Sequence, residues 1–140
     1  MAATTVREVM TPSPHMLDAR STLQAAAQMM RDEDIGDVIV IDDDQLCGIV
    51  TDRDIAVRAV ADGRDPTETR LGHICSRDLV TIAPNDPAEH AVELMRKNAM
   101  RRMPVVESGK PVGIVSLGDL ALDRDRNSAL ADISAAPANN

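Results

Sequence analysis

The sequence predicts an α/β fold made of two copies of one strand, helix, strand, strand, helix unit, packed sheet against sheet. Three observations predict it. A shift of 65 residues lays Val9–Val57 over Ile74–Leu122 without a gap and leaves nine positions identical: Ala26/Ala91, Met30/Met95, Arg31/Arg96, Val40/Val105, Gly48/Gly113, Ile49/Ile114, Val50/Val115, Asp54/Asp119 and Ala56/Ala121. Within each copy, apolar residues at helical spacing alternate with short β-branched runs in one fixed order. A unit of roughly fifty residues buries too little surface to stand alone, so the two copies are expected to form one body.

In the first copy, Val6–Met10 reads as a short helical turn. Pro12 and Pro14 disfavour helix just before them, and His15-Met16-Leu17 reads as a brief extended piece. Ser21 with Gln24 three residues on predicts a capping box, followed by an apolar stripe of Leu23, Ala26, Ala27 and Met30. Asp86 with Glu89, then Ala88, Ala91, Val92 and Met95, predict the same in the second copy. Asp37–Ile41 and Leu46–Val50 around Asp42-Asp43-Asp44 predict a hairpin, as do Met103–Val106 and Val112–Val115 around Ser108-Gly109. A second helix opens at Thr51 and carries Ile55, Ala56, Ala59 and Val60; its partner opens at Ser116 and carries Leu120 and Ala121. The predicted boundaries are 6–61 for the first domain, 62–70 for a polar, breaker-rich linker and 71–123 for the second domain. Residues 124–140 are expected to be a flexible tail in which Leu130 and Ile133 are candidates to dock.

The 140 residues carry a net charge of −8, which leaves no basic footprint for nucleic acid or anionic lipid. Phe, Tyr and Trp are absent, so bases have no aromatic platform to stack on, and the core must be aliphatic with eight Met residues to fill gaps. No run approaches the length of a membrane span and no apolar signal-peptide core follows Met1, so a cytoplasmic protein is the expectation. No nucleophile elbow, phosphate loop or zinc-protease motif occurs, and His15, His73 and His90 offer no convincing general base. The chain is not expected to be an enzyme.

Thr51-x-x-Asp54 and Ser116-x-x-Asp119 each read as a helix N-cap hydroxyl with an acidic residue at N3. The same residues also suit a nucleotide: the carboxylate accepts from a ribose diol, while the hydroxyl and helix N-terminus face a phosphate. Arg53 adds a cation to the first opening, where the second has Gly118. Arg101 and Arg102 precede the second strand of the second copy and read by themselves as a solvated surface pair. Gly36 and Asp37 stand there in the first copy. Met103 and Val105 are the apolar candidates to line a base. Asp42-Asp43-Asp44 reads as a solvated turn. His73-x-Cys75 is a weak metal candidate, because zinc takes at least three protein ligands. Cys47 reads as a small buried hydrophobe, and a Cys47–Cys75 disulfide stays open because it depends on a separation that sequence does not supply.

The repeats resemble CBS domains, the modules named after cystathionine β-synthase, and the pair resembles a Bateman module of the stand-alone bacterial hypoxic-response type. The resemblance rests on Val9-Met10-Thr11-Pro12, on Arg101-Arg102-Met103-Pro104-Val105-Val106, and on the two turns Gly48–Asp54 and Gly113–Asp119, and it spans 6–123. It implies βαββα units with pseudo-two-fold symmetry, two clefts, and an adenosine ligand of the AMP or ADP type. It also implies Asp54 and Asp119 as ribose ligands and Arg101 and Arg102 as phosphate ligands with planar donor forks, with Thr51, Ser116 and Met103 around them. No cofactor is required.

The function expected is a free-standing regulatory sensor that binds an adenosine nucleotide weakly, at no more than one site per chain, and signals in trans to a protein effector. A structural or interaction protein, and a metal- or redox-responsive protein using His73, Cys75 and Cys47, are the alternatives. A homodimer is expected, because Ile55, Ala59 and Val60 leave an apolar face for a second copy to cover.

Overall fold

The computed structural model describes residues 4–124, so the expectations for the tail beyond Arg124, with Leu130 and Ile133, lie outside the described residues. The described residues are α/β. The elements are α1 (Val6–Val9), β1 (Thr11–Pro12), β2 (Met16–Asp18), α2 (Leu23–Glu33), β3 (Asp37–Asp42) and β4 (Gln45–Thr51). After β4 come α3 (Asp52–Asp54), a π-helical stretch Ile55–Val60 and a 3-10 turn Leu71–His73. Then follow α4 (Ala88–Asn98), β5 (Arg102–Glu107), β6 (Lys110–Ser116) and α5 (Leu117–Arg124). Among the described residues no helix is long and apolar enough to cross a membrane.

Two three-stranded sheets form, ordered β2-β3-β4 and β1-β6-β5. In the first, β2 runs parallel to β3, and β3 pairs antiparallel with β4 so that Asp37 faces Thr51 and Val40 faces Gly48. Asp43 and Asp44 both take positive φ, 51° and 64°, as do Ser108 and Gly109 at 53° and 80°. Two successive left-handed residues match the strand twist of a tight hairpin, and short Asp side chains tolerate that conformation.

The compact units do not follow chain order. One comprises 14–79 with 108–111; the other comprises residues up to 13, 80–107 and those from 112 onward. Each lead-in segment therefore packs on the other copy. Val6, wholly buried, joins Ala88, Ala91, Met95, Met103, Val105, Val115 and Leu120, and its N–H donates to Asp86 O at 2.9 Å. Thr11 pairs with Ile114. Leu71, Ile74 and Cys75 reciprocally join Leu23, Ala26, Met30, Val38, Val40, Val50 and Ala59, and Ser76 exchanges both backbone hydrogen bonds with Ile49 at 2.9 and 3.1 Å. The exchange is why the glycines at the repeated position are needed. A Cβ on Gly48 would stand 2.5 Å from Ser76 O, and one on Gly113 would stand 2.5 Å from Met10 Sδ and 2.8 Å from Thr11 O.

Several local expectations change. The α2 cap is Thr22, whose hydroxyl accepts from Ala25 N at 3.2 Å, rather than Ser21 with Gln24. Pro87 caps α4 without a side-chain bond, while Asp86 Oδ2 accepts from Ala83 N at 3.2 Å in the preceding turn. Ala27 is exposed, and Cys47 is half-buried rather than fully enclosed. The stretch Ile55–Val60 is π-helical: Ala61 N bonds Ala56 O and Arg64 N bonds Ala59 O, each five residues back. In this wider coil Ala59 is in the core and Ile55 is packed against it. The exposed apolar face thus consists of Val57 and Val60, at 54% and 65% exposure, rather than Ile55, Ala59 and Val60.

Candidate functional site

Both helix openings form where a strand runs straight into a helix beside the start of its hairpin partner. In the first, Asp52 N donates to Gly36 O at 3.0 Å, so the residues before β3 lie against the first turn after β4. Thr51 Oγ1 accepts from Asp54 N at 3.0 Å, and Asp54 Oδ2 accepts from Thr51 N at 2.9 Å, a reciprocal capping box. The other carboxylate oxygen, Oδ1, stands 3.8 Å from Arg58 Nε one turn later. Arg53 is exposed, and its backbone N–H donates to Asp52 Oδ1 at 2.8 Å.

The second opening repeats this frame with different charges. Leu117 N donates to Arg101 O at 2.8 Å, which brings the Arg101–Arg102 pair beside Ser116 and Asp119. Ser116 Oγ accepts from Asp119 N at 3.2 Å, and Asp119 Oδ2 accepts from Ser116 N at 2.9 Å. Arg101 and Arg102 are exposed, whereas Met103 and Val105 are wholly enclosed in the core and anchor the strand. The first opening thus pairs Asp54 with Arg58; the second has the Arg101 backbone beside the first turn that carries Asp119. Arg58 is the residue that sequence reasoning missed. Its signal was the spacing of four residues from Asp54, which places both on one helical face. At the repeated position the second copy has Asp123.

His73 ends the 3-10 turn and is exposed, whereas Cys75, two residues on, is buried at 7% exposure in the core. Cys47 and Cys75 are both free thiols. Burial, with the Cys47 thiol beside it, pushes the Cys75 thiol up to about 11, so it is protonated at neutral pH. Among the described residues no group of three His, Cys, Asp or Glu side chains is gathered in a way that could hold a metal ion.

The CBS domain profile matches residues 6–60 and 71–123. The chain is similar to the CBS domain-containing protein YhcV of Bacillus subtilis (strain 168), at 39% identity over 92% of this chain and 94% of that protein. It is also similar to the crystal structure of Hypoxic Response Protein I, which has two coordinated zinc ions, with a TM-score of 0.79 and 34% identity over 86% of this chain and 98% of that one. The CBS domain pair of protein MJ0100, in complex with 5′-methylthioadenosine and S-adenosyl-L-methionine, shares the fold at a TM-score of 0.76 and 24% identity, covering 91% of this chain and all of the other.

Proposed function

Because the chain belongs to the CBS domain family, we propose that it is a regulatory sensor that binds an adenosine mono- or diphosphate weakly and passes the occupancy to a protein effector in trans. The opening at Ser116–Asp119 is the working site. The observation that supports this is the 2.8 Å bond from Leu117 N to Arg101 O, which holds the backbone at Arg101 next to the cap. Asp119 spends Oδ2 on the cap and offers Oδ1 to a ribose diol; Arg101 and Arg102 supply the phosphate donors. At Thr51–Asp54 the second oxygen already faces Arg58, and Asp37 repels a phosphate. No catalytic step is involved.

Calorimetric titration of nucleotide-stripped protein with adenine and guanine nucleotides tests this. One AMP or ADP site per chain is expected. Asp119→Ala should weaken it by about 1–3 kcal/mol through the lost diol contacts, and Arg102→Ala should flatten its salt dependence. Asp54→Ala should lower stability by about 1 kcal/mol through the lost cap and leave affinity intact. Two equal tight sites, or affinity that survives both Asp119→Ala and Arg102→Ala, would overturn the reading.

A second reading is a structural or interaction protein. Its support is that all four capping bonds are satisfied within the chain, so the hydroxyls and carboxylates have a purpose without a ligand. Either reading is compatible with a homodimer formed over Val57 and Val60. A dimeric mass by light scattering at micromolar concentration is expected, and Val60→Asp should shift it to monomer; a monomer throughout would refute the dimer.

A further inference from the structure

Outside both helix openings, the unit containing 14–79 has an open-mouthed cavity of about 430 Å³ on which Arg20, Arg70 and Arg77 converge, with His73 and a single carboxylate, Asp42. It lies at the end of β3 marked by Asp42, whereas Thr51 pairs with Asp37 at the opposite end of that strand. The two sites are distinct.

The convergence follows from how the lead-in to the second copy is stitched onto the first. Thr22 bridges to Arg70, Gly72 N donates to Ala19 O at 2.9 Å, and Leu71 N donates to Ser21 O at 2.9 Å. Two guanidiniums are then fixed by neutral acceptors: Arg70 Nη1 donates to Arg20 O at 2.6 Å and Arg77 Nη2 donates to Gly72 O at 2.7 Å. A carbonyl orients a guanidinium without cancelling its charge. Arg20 stands 3.7 Å from Asp18, a loose and exposed pair. Three cations and one carboxylate thus line the cavity, two of the cations held in place, in a protein whose net charge is −8.

The repeat supplies an internal control. At the positions 65 residues away, the other unit has Asn85 for Arg20, Thr5 for Arg70, Pro12 for Arg77, Arg7 for Gly72 and Glu107 for Asp42. There Arg7 and Glu107 form an ion pair at 3.2 Å. The fold therefore does not require the arginine cluster. Gly72 also leaves the floor open where the other unit has a long side chain; even a Cβ on it would come within 3.3 Å of Ala19.

We propose that this cavity is an anion site for a small phosphorylated metabolite, with Arg20, Arg70 and Arg77 as the phosphate donors and Gly72 opening the floor. Planar guanidinium forks match phosphate oxygens, and the volume is that of a small-molecule site rather than a macromolecular interface. The inference does not rest on the nucleotide reading.

The probe is inorganic pyrophosphate, titrated into the full chain at low salt and followed by amide chemical shifts. Saturable shifts confined to the amides around Arg20, Gly72, His73 and Arg77 are expected. Arg77→Ala should weaken binding roughly fivefold. Asp42→Asn should tighten it about threefold by removing the repelling carboxylate of the cavity lining, a gain that misfolding does not imitate. No saturable shift, shifts centred on Ser116 and Asp119 instead, or equal affinity in both variants would overturn the proposal. Adenosine, which lacks phosphate, reports on the nucleotide reading alone, so the two fail separately.

Discussion

Leu71→Ala is expected to destabilise the protein by roughly 2–5 kcal/mol, the usual cost of a large-to-small change at a fully enclosed site. Leu71 has no exposed surface and is packed in the cluster of Leu23, Met30, Val38 and Val50. The location of the damage is the sharper expectation. Leu71 belongs by sequence to the second copy, yet apart from its own segment's Ile74 and Cys75 the buried residues of its cluster are all in the first. Hydrogen exchange should therefore show protection lost first across α2, β3 and β4, with α4 less affected. Val6→Ala is the reciprocal change and should loosen α4 and β6 first. Loss that begins in α4 for Leu71→Ala would contradict the exchange of lead-in segments.

Gly48→Ala should cost about 3 kcal/mol, at the upper end of what overpacking usually costs. Replacing a strand glycine with alanine normally gains about 0.4–1 kcal/mol by restricting the unfolded chain. Here the added Cβ would lie 2.5 Å from Ser76 O and 2.7 Å from Cys75 Sγ. The sulfur belongs to a side chain that can be shortened, but the oxygen is backbone, held by the hydrogen bonds between Ser76 and Ile49. The clash therefore outweighs the entropic gain. Cys75→Ala in the same chain should recover only part of the loss, since the carbonyl contact remains. Denaturant unfolding of the single and double variants checks this. A neutral Gly48→Ala, or full rescue by Cys75→Ala, would show that the segment is free to move away from the strand.

Periodicity and short spacing determined what was legible in the sequence. Both hairpins and both caps, Thr51 with Asp54 and Ser116 with Asp119, depend only on residues within a few positions of one another, and the structure has them. The neighbouring caps show the limit of local reading: Ser21 and Thr22 are equally good hydroxyls one position apart, and the backbone chose Thr22. A capping box and a ribose contact draw on the same residues, so Thr51, Asp54, Ser116 and Asp119 have a complete local reason to be where they are.

The tertiary structure alone decided which copy each lead-in segment joins. Val6 and Leu71 occupy the same repeated position, as do Met10 and Cys75, and burial is non-directional: either apolar residue satisfies either core. A perfect repeat is therefore silent about exchange. The arginine cavity was invisible for a related reason. Arg20 and Arg70 are 50 residues apart, joined by a hydrogen bond to one backbone carbonyl. Nothing in their sequence spacing links them; the exchanged segment carries Arg70 and Arg77 across to the turn after β2, where they line one cavity with Arg20.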